Sequence, residues 1–351
     1  MKIPRIKDIF NPAIDAIIPC QLKSCKSLFA QCSAIFRLLR RWLLLITSNQ
    51  SKLQLDTIPV TTKHILWIHI SSTSIGDSIM ELSGRLLLKH HYQVDLLTDR
   101  KNADIFYGDD VFNDIYVDYN INYQNYDLVI LDIFNTKSIK FKAKYFPKVP
   151  FVPFMGYFYG LDFNRMLFSF HRINKLLNNL YDVEVINKIA NNYLNFNYFK
   201  SFVASKSCSL VVAIGGEDSI RTYDHWVEVI YLLNLKYPLL EINLLGSKNG
   251  EKIAQELDAL KLSNVHNYVA QLSLLETTRL IANAKFFLGV DGGLMHIAES
   301  FCLSGVALFA KFLPEYRLGY NSRLRTLSVA DNVSAISPQL IVDELFKLLG
   351  E

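Results

Sequence analysis

Short apolar runs and segments of helical period alternate twice along the chain. The first series holds "HILWIHIS" (64–71), the helical stretch "DSIMELSGRLLLKHH" (77–91), "YQVDLLTD" (92–99) and the strongly apolar "YDLVILDIF" (126–134). The second begins near residue 205. Its strand-like runs are 209–216, 241–247, 265–269, 285–291 and 305–311, and helical runs at 223–236, 250–260, 273–284 and 293–301 separate them. The closing "SPQLIVDELFKLL" (337–349) places Ser337 as a helix N-cap and Pro338 at the first helical position. Strands alternating with helices predict parallel sheets covered on both faces. The expectation is an α/β chain of two doubly wound, Rossmann-like halves facing a cleft, with ligands at the carboxyl ends of the strands.

Two segments depart from this rhythm. In "SLFAQCSAIFRLLRRWLLLI" (27–46), Leu28, Cys32, Ile35, Phe36, Leu39, Trp42, Leu43 and Ile46 follow one helical stripe, with Arg37, Arg40 and Arg41 on the other side. Such a basic amphipathic helix suits a membrane interface, and equally a berth on the protein's own surface. "SKLQLDTIPVTTK" (51–63) reads as a linker. Residues 141–180 are aromatic and basic without strand–helix alternation, which fits a lid, an acceptor-binding insertion or an aromatic packing layer.

The length of 351 residues allows two domains and an appendage. A net charge of +4 is too small to make nucleic acid the main partner. The charge is uneven: residues 1–52 carry about +7 and the remainder −3. That asymmetry marks the N-terminus as a contact element for an anionic surface. The cysteines at 20, 25, 32, 208 and 302 form no CxxC pair, which argues against a disulfide framework or structural zinc. No secretory signal is evident, and "WLLLI" (42–46) is too short to span a bilayer. A cytoplasmic protein is expected, peripheral on the cytoplasmic face of the inner membrane if the basic helix lies in the interface.

Three loops carry candidate chemistry. In "SSTSIGDSIMEL" (71–82), small residues lead to Asp77 at a helix start. Asp77 is an N-cap in one reading and a general base in the other. In "IGGEDSIRTYDHW" (214–226), Ser219, Arg221 and Thr222 suit phosphate oxygens, while a plain polar loop with Asp224 as a cap is the alternative. In "FFLGVDGGLMHIAES" (286–300), Asp291 ends a strand, Gly292 and Gly293 open a helix start, and His296 follows within a turn. A helix start offers an anion unpaired N–H groups and the positive end of the macrodipole. Neither GxGxxG nor GxxxxGK[ST] occurs.

Together and in this order, these loops with "YDLVILDIF" and "INLLGSKNGEKIA" resemble the heptosyltransferase family, glycosyltransferase family nine, over roughly residues 64–350. The Asp-Gly-Gly-Leu-Met-His run resembles that family's Asp-[Ser/Thr]-Gly-Leu-x-His signature. The resemblance implies a GT-B fold: an N-terminal extension (1–60), an acceptor domain (61–200), a nucleotide-sugar domain (205–335) and a C-terminal helix (336–351). It implies inverting transfer of heptose from ADP-heptose to a lipopolysaccharide or lipooligosaccharide core acceptor, without metal or other cofactor.

By the same resemblance Asp77 is the catalytic base. Ser219, Arg221, Glu251, Asp291, Gly292, Gly293 and His296 lie on the donor side, and Ser74, Gly76, His171 and Arg172 on the acceptor side. Two positions depart from the family: Asp224 stands where a phosphate-facing Lys is usual, and Gly292 replaces a Ser or Thr. Another nucleotide-sugar on the same fold, or a non-catalytic glycan- or membrane-binding relative, are the alternatives.

Overall fold

The computed structural model describes residues 7–21, 28–70, 74–117, 125–158, 162–200, 209–216 and 218–350. The expectations for 71–73, Glu217 and Cys208 lie outside the described residues. The chain divides into two compact units, 1–190 and 191–351. Among the described residues no helix is long and apolar enough to cross a membrane.

The N-terminal unit runs α1 (Lys7–Phe10), β1 (Cys20–Gln21), α2 (Leu28–Thr47), β2 (His64–His69), α3 (Ile75–Leu82), β3 (Gln93–Thr98), α4 (Arg100–Phe106), β4 (Phe112–Val117), β5 (Leu128–Leu131), α5 (Thr136–Tyr145), β6 (Phe151–Pro153), β7 (Asp162–Phe163), α6 (Arg165–Leu176) and α7 (Val183–Ile189). Its main sheet is parallel, in the order β4-β3-β2-β5-β6. The central strands β2 and β5 are apolar along almost their whole length because helices cover both faces. The order reverses between β2 and β5, so the loops after them form the switch point.

Two sequence expectations change here. Residues 141–180 are not an insertion: they supply the fifth strand, β6, and the buried helix α6. The apparent linker is stitched to that sheet edge, where Leu55 N donates to Phe151 O at 2.8 Å and Phe151 N to Leu53 O at 2.9 Å.

The basic helix α2 is docked on the unit by a face that the predicted stripe did not name. Ala34 and Leu38 pack with Ile9 and Tyr157, and Leu45 joins the cluster of Leu66, Ile68 and Phe134. Arg41 points inward as well: Nη1 donates to Phe134 O at 3.0 Å and the guanidinium lies 5.1 Å over the Tyr157 ring.

The C-terminal unit runs α8 (Phe196–Phe199), β8 (Ser209–Ala213), α9 (Trp226–Lys236), β9 (Glu241–Leu245), α10 (Glu251–Asp258), β10 (Val265–Asn267), α11 (Leu274–Ala282), β11 (Phe286–Val290), α12 (Gly293–Ser300), β12 (Ser304–Ala310), β13 (Leu324–Val329) and α13 (Pro338–Leu349). Its six strands are parallel in the order β10-β9-β8-β11-β12-β13. The core joins Leu210, Val212, Leu288 and Leu308 of the sheet to Trp226, Val229 and Ile230 of α9 and Ile341 and Leu345 of α13. Ser337 caps α13, accepting from Leu340 N at 3.3 Å, with Pro338 at its first turn. The strand order reverses between β8 and β11, and the loops that follow them are "IGGEDSIRTYD" and "DGG".

Candidate active site

In the N-terminal unit the switch point gathers charge. His69 ends β2 and Asp132 follows β5, the neighbouring strand, so their side chains meet and hydrogen-bond through His69 Nδ1. His69 Nε2 reaches Ser78 Oγ at 3.0 Å. Burial works against an imidazolium here, but the Asp132 carboxylate, with Glu81 behind it, outweighs that and raises the His69 pKa.

Helix α3 is capped by Ser74, whose Oγ accepts from Asp77 N at 3.1 Å. The capping role offered to Asp77 therefore belongs to Ser74, while Gly76 is buried in the first turn. The Asp77 carboxylate meets Arg165, with Nε 3.2 Å from Oδ1. Arg165 Nη1 also bonds Glu81, one turn along α3. Arg165 is the first residue of α6, where the macrodipole disfavours a cation; the two carboxylates offset this. Burial pushes the Glu81 pKa up to about 7, although Arg165 pulls against it. Of the cluster's carboxylates, Asp77 has a side chain 24% exposed, whereas Glu81 and Asp132 are at 4% and 0%. Asp77 is thus the carboxylate of this group that a substrate hydroxyl can reach.

His69, Glu81 and Asp132 bring ligand-type atoms within 4.8 Å of one another. In this structure they are engaged with each other, with Ser78 and with Arg165.

The two other acceptor-side candidates are buried. His171 is buried and its Nε2 bonds Asn187 Oδ1 at 2.8 Å, while burial lowers its pKa. Arg172 is buried and donates to three backbone carbonyls: Phe154 at 2.8 Å, Pro153 at 2.9 Å and Ala13 at 3.1 Å. Burial brings its pKa down to about 10. Both are structural ties within the unit.

In the C-terminal unit Asp291 directly follows β11, its N–H donating to Leu308 O at 2.9 Å. Its side chain is 2% exposed, and Oδ2 has no hydrogen-bond partner among the described residues. Two guanidinium groups approach that oxygen without bonding it: Arg221 Nη1 at 3.7 Å and Arg317 Nε at 3.6 Å. Both lie over the Phe312 ring, at 5.7 Å and 4.6 Å, and Lys311 Nζ lies 5.5 Å from the same ring. Arg221 Nε is also buried and unpartnered. A carboxylate oxygen and an N–H donor without partners among the described residues, beside two guanidinium groups, form a cradle for hydroxyls and anionic oxygens; Lys311, half exposed, lies 3.8 Å from Asp218.

Gly292 is the N-cap of α12 and supplies no side-chain bond to it. A Cβ at Gly292 would meet nothing nearer than Val290 O at 3.9 Å, so the missing Ser or Thr is not sterically excluded. Gly293 opens the helix without a side-chain cap, and in its first turn Met295 N donates to Gly292 O at 3.1 Å. His296 is buried one turn in. Its Nδ1 faces Asn192 Nδ2 at 3.3 Å, and Asn192 also bonds Glu299. With Nδ1 accepting, the imidazole carries its proton on Nε2, which has no partner among the described residues. Glu299 Oε1 accepts from Gly319 N at 2.8 Å, tying α12 to the loop that carries Arg317.

The remaining donor-side residues sit at the margin. Ser219 is exposed, with its carbonyl held by Asn332 Nδ2 at 3.3 Å. Glu251 begins α10 and is exposed. The loop before it is hooked to the β8 loop, since Asn249 Nδ2 donates to Gly216 O at 2.5 Å. That close approach needs Gly215, whose φ is +89° and whose Cβ would lie 2.7 Å from Asn249 Oδ1. Asp224 turns to Ser334: its N–H donates to Ser334 Oγ at 3.0 Å, and that hydroxyl donates back to Oδ2 at 3.2 Å.

Residues 199–337 match the model of glycosyltransferase family 9 (heptosyltransferase). The chain thus resembles glycosyltransferase family 9 over these residues. It is a glycosyltransferase. Solved structures carry the likeness beyond the family 9 domain. That of the glycosyl transferase family 9 from Veillonella parvula DSM 2008 has a TM-score of 0.66 at 14% identity, covering 84% of this chain and 99% of that one. The E. coli ADP-heptose lps heptosyltransferase II has 0.61 at 18%, covering 82% and 98%. The E. coli heptosyltransferase WaaC with ADP has 0.59 at 17%, covering 81% and 99%. At these identities the likeness is one of fold. None of the curated proteins compared matches the chain.

The sequence reading missed Arg317, Lys311 and Phe312. "AKFLPEYR" follows β12, the strand beside β11, so bases just after a strand next to the switch point were the available signal. It also missed His69, Glu81, Asp132 and Arg165. Asp132, at the end of "YDLVILD", was the visible one.

Proposed function

We propose that the chain transfers heptose from ADP-heptose to a lipid-linked sugar of a lipopolysaccharide-type core, with inversion at the anomeric carbon, at the cytoplasmic face of the inner membrane. The observation that carries this reading is Asp291: a buried carboxylate with one oxygen lacking a hydrogen-bond partner among the described residues, approached by Arg221 and Arg317, next to the start of α12, which no side chain caps. Such a carboxylate suits donor-sugar hydroxyls, and the cations and helix N–H groups suit the diphosphate. The adenine nucleotide is supported by the ADP and ADP-heptose named for the E. coli structures.

In the proposed step the acceptor hydroxyl oxygen attacks the anomeric carbon, its proton passes to Asp77, and the bond to the phosphate oxygen breaks with its electron pair leaving on ADP. Arg221, Arg317, Lys311, the α12 N–H groups and His296 Nε2–H stabilise the charge that develops there. Arg317 and Arg221 take the place of the family's Lys, so Asp224 need not contribute. Mass spectrometry of the host's surface glycan with and without this chain tests the reading. Loss of one heptose supports it; an unchanged glycan, or loss of a different sugar, refutes the heptose assignment.

A further inference from the structure

Helix α2 is fixed to the N-terminal unit by Ala34, Leu38, Arg41 and Leu45, and among the described residues its opposite side has no such cover. At 3.6 residues per turn, Cys32, Phe36, Leu39 and Leu43 share a narrow arc. Phe36 is 66% exposed, Leu39 50% and Leu43 57%. Arg40 and Arg37, both exposed, continue from the edge of that arc. Helix α5 packs against α2 and exposes Lys137, Lys140 and Lys144. Neither helix contains an acidic residue.

An apolar ridge with five exposed cations beside it calls for an occupant that is apolar at depth and anionic at its surface. A second copy would set these cations against their own kind, and three apolar side chains are far short of a stable dimer interface of about 800 Å² per partner. A bilayer with anionic headgroups answers both demands: the apolar side chains enter the acyl boundary while Arg and Lys heads stay among the phosphates.

We propose that the outward face of α2, Phe36, Leu39 and Leu43 flanked by Arg37, Arg40 and the α5 lysines, docks this enzyme on an anionic phospholipid bilayer with α2 lying in the interface. The inference does not depend on which sugar is transferred.

Cosedimentation of the full chain with phosphatidylcholine vesicles, with and without phosphatidylglycerol, tests it. The chain is expected to bind the phosphatidylglycerol vesicles at least about tenfold more tightly. Phe36→Ser/Leu39→Ser/Leu43→Ser is expected to lower that binding at least about tenfold while leaving the melting temperature in place. Arg37→Gln/Arg40→Gln is expected to weaken binding only to the anionic vesicles. If the triple variant is unstable, Leu43→Asn alone is expected to show the same loss at smaller size. Equal binding to both vesicle types, or undiminished binding by the apolar variants, overturns the proposal. So does a concentration-dependent dimer that the triple variant abolishes, because the occupant is then a second copy.

Discussion

Arg165 Nε stands 3.2 Å from Asp77 Oδ1, and the same guanidinium bonds Glu81 one turn further along α3. The carboxylate proposed as the base is therefore held by a residue from another helix, backed by the buried His69–Asp132 pair. Arg165→Ala is expected to lower kcat by about 10- to 100-fold, the usual size of a small misplacement, with nucleotide affinity unchanged. It also leaves Glu81 without its cation. With the Glu81 pKa near 7 and the ordinary value at 4.5, the folded state keeps a proton there that the unfolded state gives up, so stability falls as pH rises between those values. The variant is accordingly expected to lose more stability at pH 8 than at pH 5. Equal loss at both pH values, or an unchanged kcat, counts against the arrangement.

Arg317 and Arg221 approach the same oxygen of Asp291 from two different loops. Each Ala substitution is expected to weaken ADP binding by about 1.5–3 kcal/mol, the range for a hydrogen bond to a charged group. Calorimetry on the two single variants checks this. Unaltered affinity in Arg317→Ala would leave Arg221 as the phosphate cation and remove Arg317 from the site.

Gly292 has room for a side chain and gives α12 no cap. Gly292→Ser is expected to stabilise the protein by a few tenths of a kcal/mol, about the gap between Ser and Gly at an N-cap, and to retain ADP binding. Thermal melting and calorimetry measure both. A loss of affinity beyond about tenfold, 1.4 kcal/mol, would mean that the ligand lies directly against a bare backbone.

Lys142 is buried in the N-terminal unit, bonded to Gln50 and 4.9 Å from the Phe151 ring centre. Burial pushes its pKa down to about 7 from 10.5. Between those values the unfolded chain holds a proton that the folded chain lacks, so this residue makes stability rise with pH across that window. Lys142→Met removes the slope. The stability of the variant relative to the parent is expected to fall by more than about 1 kcal/mol from pH 7 to pH 10, whatever its offset at pH 7. Denaturant titrations at the two pH values decide it, and a constant difference would show that Lys142 does not titrate in this window.

Features contiguous in sequence were legible. Asp291, Gly292, Gly293 and His296 fall at one strand–helix junction, and the apolar strands β2, β5, β8 and β11 announce themselves because both sheet faces are covered. The edge strands β4 and β13 were missed because all but one residue of each is partly or fully open to solvent, and β6 because it is three residues long. Arg165 and Arg317 were invisible for another reason: each reaches its carboxylate across a long stretch of chain, and only folding brings the pairs together. His171 and Arg172 were placed on the acceptor side by the resemblance, and both are buried with amide and carbonyl partners. In α2 nearly every side is apolar, so the period alone could not say which face docks.

The nucleotide-sugar site is proposed for the C-terminal unit and the base, Asp77, for the N-terminal unit. Titration calorimetry of ADP, UDP and GDP into the parent chain and into Asp77→Asn, paired with a transfer assay from ADP-heptose, tests this assignment most directly. ADP is expected to bind at least about tenfold more tightly than UDP or GDP, and Asp77→Asn is expected to bind ADP as the parent does while losing transfer. Absence of nucleotide binding, or full transfer by Asp77→Asn, would contradict that assignment.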